Sequence, residues 1–143
     1  MPPHPEAPVL VVLDSEALAA LSFPRERART GRRAQAVLVA VERLGGRACV
    51  PAPVIAEVAR SASRRPGVDR VLRRLPVVDT DRAIATLAGN LLGRNRLDSR
   101  HAIDALVAST ALGSSPAVVL TGDPDDFMRL IGDDPGVLVQ PLP

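Results

Sequence analysis

The stretch Val9-Leu10-Val11-Val12-Leu13-Asp14-Ser15-Glu16-Ala17-Leu18-Ala19-Ala20-Leu21 decides the fold. Its first five residues form an apolar run too short for a helix. Because no polar residue alternates within it, the run predicts a strand buried on both faces, as in parallel sheets. It stops at Asp14, and Ser15 to Leu21 then has helical spacing. The same order returns late in the chain: Ala117 to Leu120 is a second such strand, ending at Thr121-Gly122-Asp123 and followed by a short helix to about Ile131. In open parallel sheets ligands bind beyond the carboxyl ends of the strands, where Asp14 and Asp123 both stand.

Between these units strands and helices alternate. Phe23-Pro24 and the Arg-rich stretch to Arg33 suggest a turn and a solvated connection, and a helix is expected from Ala34 to Leu44, stopped by Gly45-Gly46. Arg47 to Val50 reads as a strand and Val54 to Ala62 as an amphipathic helix preceded by Pro51 and Pro53. Arg65-Pro66-Gly67 reads as a turn, Val68 to Arg74 as one or two helical turns, and Leu75 to Val78 as a strand. Asp81 to Leu92 forms a further helix. Asp98 or Ser99 caps another from Arg100 to Leu112, and Val137 to Val139 is a last short strand. The expectation is a single α/β/α domain over residues 1–143, with a central parallel sheet of about five strands covered on both faces.

Composition removes several chemistries. All 18 basic residues are Arg and none is Lys, which excludes a P-loop and Schiff-base catalysis. It also argues against response-regulator receivers and haloacid-dehalogenase-like phosphatases, which rely on a Lys in their familiar forms. The lone Cys49 supports neither an internal disulfide nor a zinc site and reads as buried strand filler. No apolar run approaches the ~20 residues of a membrane span, so a cytoplasmic location is expected. The net charge of +2 identifies no polyanion partner. Arg25, Arg27, Arg29, Arg32 and Arg33, and later Arg60, Arg64, Arg65, Arg70, Arg73 and Arg74, either track a nucleic-acid backbone or form solvated helix faces.

The acidic residues carry the functional argument. Asp14 and Asp123 end strands, Asp126 follows Asp123 by three, Glu57 lies on the helix after the second strand, and Asp104 interrupts an apolar helix. Each has an ordinary reading. Asp14 caps a helix, Glu57 pairs with Arg60, Asp104 pairs with Arg100, and Asp123 with Asp126 resembles a capping box. Taken together they are harder to dismiss, because Asp104 sits among Ala102, Ile103, Ala105, Leu106, Val107 and Ala108, where an unpaired charge is costly. A divalent cation offsets that cost, and hard oxygen donors select Mg2+ or Mn2+.

In this order the motifs Val-Leu-Asp-Ser-Glu-Ala-Leu, Val-Pro-Ala-Pro-Val-Ile-Ala-Glu-Val, His-Ala-Ile-Asp-Ala-Leu-Val-Ala-Ser-Thr-Ala and Thr-Gly-Asp-Pro-Asp-Asp-Phe resemble those of the PIN-domain ribonucleases, and more narrowly the VapC toxins of toxin-antitoxin pairs. The resemblance runs from about Val9 to Leu142. It implies that Asp14, Glu57, Asp104 and Asp123 bind the metal, with Asp126 as an auxiliary acid and Thr121 as a hydroxyl organising the loop. It further implies hydrolysis of single-stranded or loop RNA to 5′-phosphate and 3′-hydroxyl ends, a homodimer, and an antitoxin partner. The antitoxin's carboxyl-terminal segment would lie in an apolar groove and send a basic side chain towards the carboxylates; Leu18, Leu21, Val37 and Val41 either line that groove or are ordinary core. Glu16 departs from the family's habit of a small residue two positions after the first Asp; it either reaches the site or points to solvent. His101, His4 and Ser15 receive no catalytic role, Ser15 reading as a cap or a hydrogen-bond partner beside the metal. Other readings are a PIN nuclease of RNA maturation or decay, an inert PIN-like binding module, and a Toprim-like core. The last uses Asp123-Pro124-Asp125 and leaves Asp104 unexplained.

Overall fold

Beta-branched and leucine side chains fill the middle of a five-stranded sheet in the computed structural model, which describes residues 9–142. The strands are β1 (Leu10–Leu13), β2 (Arg47–Pro51), β3 (Val77–Val78), β4 (Ala117–Thr121) and β5 (Val137–Pro141). Their spatial order is β3-β2-β1-β4-β5, and every neighbouring pair is parallel. Val12 lies opposite Cys49 on one side and Val119 on the other. The helices are α1 (Ser15–Ser22), α2 (Ala28–Arg43), α3 (Ala52–Val58), α4 (Arg65–Leu72), α5 (Arg82–Arg94), α6 (Ala102–Leu112) and α7 (Pro124–Ile131), with a 3-10 turn at Ser99–His101 before α6.

The pleat sends successive β1 residues to opposite faces. Val11 and Leu13 join Ala34, Ala48 and Leu120 in one cluster, whereas Val12 joins Cys49, Val50, Val119 and the buried faces of α3, α5, α6 and α7 in the larger one. Both faces are therefore covered, which is why β1 carries no polar alternation. Burial of each such Val or Leu contributes about 1.5 to 3 kcal/mol. Helix α1 feeds both clusters, with Ala17 in the smaller and Leu18 in the larger. Cys49 is buried, and burial pushes its thiol up to about 11, in keeping with a packing residue.

Sequence and structure differ at several places, among them α3, which ends at Val58 short of the expected Ala62, and β3, which is only Val77–Val78. Helix α2 begins at Ala28, so Arg29, Arg32 and Arg33 lie on a helix instead of a connection, with only Gly31 and Ala34 of α2 buried. The segment Arg65-Pro66-Gly67 is the first turn of α4, where Pro66 occupies a position that needs no intrahelical donor. Leu18, a candidate for either groove or core, is fully buried and so belongs to the core. Leu21 does line a groove, a cavity of about 500 Å³ between α2, α4 and the amino ends of β2 and β3, together with Leu38, Val71, Leu75, Arg47 and Arg74. Val37 and Val41 pack beneath α2 against the smaller cluster. Among the described residues no helix is long and apolar enough to cross a membrane. His4 lies outside the described residues.

Candidate functional site

The chain leaves β1 and β4 at adjacent carboxyl ends. Strands added after β1 build outward in one direction through β2 and β3, while β4 and β5 lie on the other side, so the order reverses between β1 and β4. A crevice opens at such a point. The Asp14 N–H donates to the Leu120 carbonyl at 3.1 Å, locking the two strand ends together.

Asp14 does cap α1: one carboxylate oxygen accepts from the Ala17 N–H at 2.8 Å. The other accepts from the Gly122 N–H at 3.3 Å, and the Thr121 hydroxyl also bonds to this side chain. Burial outweighs these bonds and pushes the Asp14 pKa up to about 6, with the charge of Glu16 adding to the rise. Thr121 is itself buried, and its oxygen accepts from the Asp123 N–H at 2.8 Å. One hydroxyl thus ties Asp14 to the turn that carries Asp123.

Asp104 is the hub. It projects from the first turn of α6. Its pKa rises to about 6, first from burial and then from the charges of Asp14, Glu57, Asp126 and Asp123. All five predicted carboxylates therefore meet electrostatically at this one side chain. Glu57, exposed on α3, accepts a hydrogen bond from the Ser15 hydroxyl. Asp123 also has a raised pKa, first through desolvation and then through Asp126. The ion pairs read as ordinary alternatives are not made: Arg100 instead bonds Asp98, which caps the 3-10 turn through the Arg100 N–H at 3.0 Å. Among the described residues no arginine is paired with any of the five acids.

His101 joins the cluster although the sequence assigned it no role. Its Nδ1 lies 3.9 Å from an Asp126 carboxylate oxygen, and ligand atoms of His101, Asp104 and Asp126 stand within 4.8 Å of one another. The signal was its position three residues before Asp104, one helical turn away. The turn at Ser99–His101 is what aims it at α7.

A family model described as PIN domain matches residues 11–132. The chain belongs to the PIN-domain family. Its nuclease class follows from that membership. This PIN domain matches no curated protein sequence. Among solved structures it is similar to a chain of VapBC2 from Rickettsia felis bound to a promoter DNA fragment, at 17% identity and a TM-score of 0.68, covering 93% of this chain and 98% of that one. It is also similar to a chain of a toxin-antitoxin complex from Klebsiella pneumoniae, at 20% identity and a TM-score of 0.63, covering 90% and 95%. VapBC-1 from nontypeable Haemophilus influenzae gives 16% identity and a TM-score of 0.64, covering 94% and 98%. At these identities the likeness is one of fold. It spans nearly the whole of each neighbour.

Proposed function

We propose that this PIN domain is a Mg2+- or Mn2+-dependent endoribonuclease acting as the toxin of a toxin-antitoxin pair, with Asp14, Glu57, Asp104 and Asp123 holding the metal and Asp126 assisting. The observation that carries the reading is Asp104, a half-buried carboxylate raised to about 6 among four other acids. In a chain with 18 arginines, none is spent on neutralising this cluster. Such a concentration of oxygen donors fits a hard divalent cation, whose charge relieves the repulsion. When bound, the ion activates water and offsets negative charge on a phosphodiester.

The chain's own residues divide the remaining work. The Ser15 hydroxyl orients Glu57, and Thr121 with the Gly122 amide fixes Asp14. His101, with Nδ1 3.9 Å from an Asp126 carboxylate oxygen, adds a nitrogen donor at the edge of the cluster. RNA, as single strand or loop, is the substrate that the family resemblance supports. The toxin reading draws on neighbours that are themselves toxin-antitoxin or VapBC complexes. The 500 Å³ cavity beside α2 and α4, lined by Leu38, Val71 and Leu75 together with Glu42, Arg47 and Arg74, offers an antitoxin segment a half-polar seat, at the amino ends of β2 and β3 and so away from the carboxylates. Met128 and Leu138, exposed on the adjacent elements α7 and β5, offer a face to a second copy.

The test is a cleavage assay on the purified full-length chain with single-stranded RNA, with Mg2+, with Mn2+ and with chelator. Metal-dependent cleavage that Asp104→Asn abolishes is the expected result; cleavage by that variant at the wild-type rate refutes the assignment. Co-expression with the product of the neighbouring reading frame separates the toxin from a nuclease of RNA maturation or decay. The toxin arrests host growth when alone and copurifies with its partner. The maturation nuclease is harmless when alone and copurifies with nothing.

A further inference from the structure

A ribonuclease centre built from five acids repels the strand it must cut. An ion neutralises the reacting phosphate, but the neighbouring phosphates need cations at the rim. Resting on the ribonuclease reading above, we infer that Arg27, moored by Glu16, grips a phosphate of the bound strand next to the one being cut.

A chain of contacts ties Arg27 to the centre. Its Nη1 donates to a Glu16 carboxylate oxygen. The stem of Glu16 lies directly on Gly122, where an added Cβ would stand 2.8 Å from Glu16 Cγ and 2.9 Å from its Cβ. The Gly122 N–H in turn donates to Asp14. Glu16 is thus the acid that answers the sequence question of where this side chain points: it covers the β4–α7 turn and carries a guanidinium there. Among the described residues, Arg27 is the arginine that an ion pair ties to this side of the site.

The mount is rigid. The Arg27 N–H donates to the Phe23 carbonyl at 3.0 Å, and the Arg27 carbonyl accepts from the Gly31 N–H at 2.7 Å. Gly31 and Gly67 let α2 and α4 press onto the end of α1, since a Cβ on either would stand 2.8 Å from the Ala20 carbonyl oxygen or 2.6 Å from that of Ser22. Arg70 donates to the Ser22 carbonyl at 3.0 Å, and the Arg64 guanidinium lies 4.5 Å over the Phe23 ring. A guanidinium has five donors in a planar fork. One holds Glu16, and the side chain remains 37% exposed. The fork is therefore preorganised for an anion at small entropic cost.

The experiment measures binding of a fluorescein-labelled single-stranded oligoribonucleotide to the full chain carrying Asp104→Asn, with Mg2+, between about 50 and 200 mM salt. Adding Arg27→Gln should weaken binding by roughly three- to tenfold and reduce the slope of log affinity against log salt by about 0.7, one phosphate contact on a single strand. Arg27→Lys keeps the charge and should restore most of the slope. In the cleaving protein Arg27→Gln should raise KM and leave kcat nearly unchanged.

Two controls exclude simpler causes. The pair Glu16→Gln with Arg27→Gln should remain weak; recovery to wild-type affinity would mean that unmasked Glu16 charge was the whole effect, and would overturn the proposal. Arg43→Gln, at the far end of α2, should leave the slope unchanged; an equal loss there would overturn it in favour of general basic attraction. If the wild-type protein cuts RNA and Arg27→Gln changes neither slope nor KM, Arg27 only ties two helices and the proposal alone falls. If the wild-type protein neither binds nor cuts RNA with either metal, the ribonuclease reading falls and takes this proposal with it.

Discussion

Asp104→Asn should make the metal-free protein more stable while destroying its activity. The folded chain raises the Asp104 pKa from 3.8 to about 6, so the neutral acid is the favoured form in the native state. The cost of ionising it is absent below the unfolded pKa of 3.8, grows as pH rises towards 6, and is fully present above that. At ~1.4 kcal/mol per pH unit the full rise corresponds to about 3 kcal/mol. Asp104 is only half-buried, and solvent screening reduces this to about 1 to 1.5 kcal/mol. The amide is nearly isosteric and leaves no cavity. In chelator at pH 8 the variant should therefore melt about 3 to 6 °C above wild type, a scale set by the length of the chain. At pH 4 the two curves should coincide. Excess Mg2+ should raise the wild-type melting temperature more than the variant's, because the ion binds the intact carboxylate set better. A variant that melts at or below wild type at pH 8 in chelator would show that Asp104 is not held among like charges, and the site as described would be wrong.

Further outcomes follow from the same geometry. Affinity for Mg2+, measured by titration calorimetry, should fall as pH drops through about 6, because protons then occupy Asp14 and Asp104 in place of the cation. Gly67→Ala should destabilise the fold by about 1 to 3 kcal/mol in urea melts, since the new Cβ meets the Ser22 backbone carbonyl at 2.6 Å. Cys49 should resist alkylation in the native protein at pH 8 and react promptly in denaturant, because burial pushes its thiol up to about 11.

The doubly covered strands were legible because burial on both faces leaves an uninterrupted apolar signature, and β1 and β4 each display one. The acids stood out because carboxylates at strand ends, and one within an apolar helix, conflict with simple burial. The start of α2 was hidden by its chemistry: of its first seven residues only Gly31 and Ala34 are buried, so an almost wholly solvated turn of helix reads as a connection. Leu18 could be read as either groove or core because both demand the same side chain. Only the packing of α1 between two clusters distinguishes them. The position of His101 depends on a 3-10 turn whose cap, Asp98, was visible but whose rotation was not. Glu16 could not be aimed from sequence, since the surface that receives it belongs to a turn far along the chain.

That distance has a consequence for when the nuclease becomes armed. Gly122 and Asp14, which bond across the crevice, are 108 positions apart. A chain that has emerged from the ribosome only as far as α6 already carries Asp14, Glu57 and Asp104, yet it lacks β4, the Thr121 hydroxyl, the Gly122 amide, Asp123 and Asp126. At about 5 to 20 residues per second, the interval from Asp14 to Gly122 lasts roughly 5 to 20 seconds. Throughout it the growing polypeptide has no assembled acidic centre, so the ribonuclease activity proposed above is withheld from the messenger and transfer RNAs beside it. Pairing β1 with the fourth strand of the sequence therefore acts as a built-in delay, completing the acidic centre only once the chain has been made through α7.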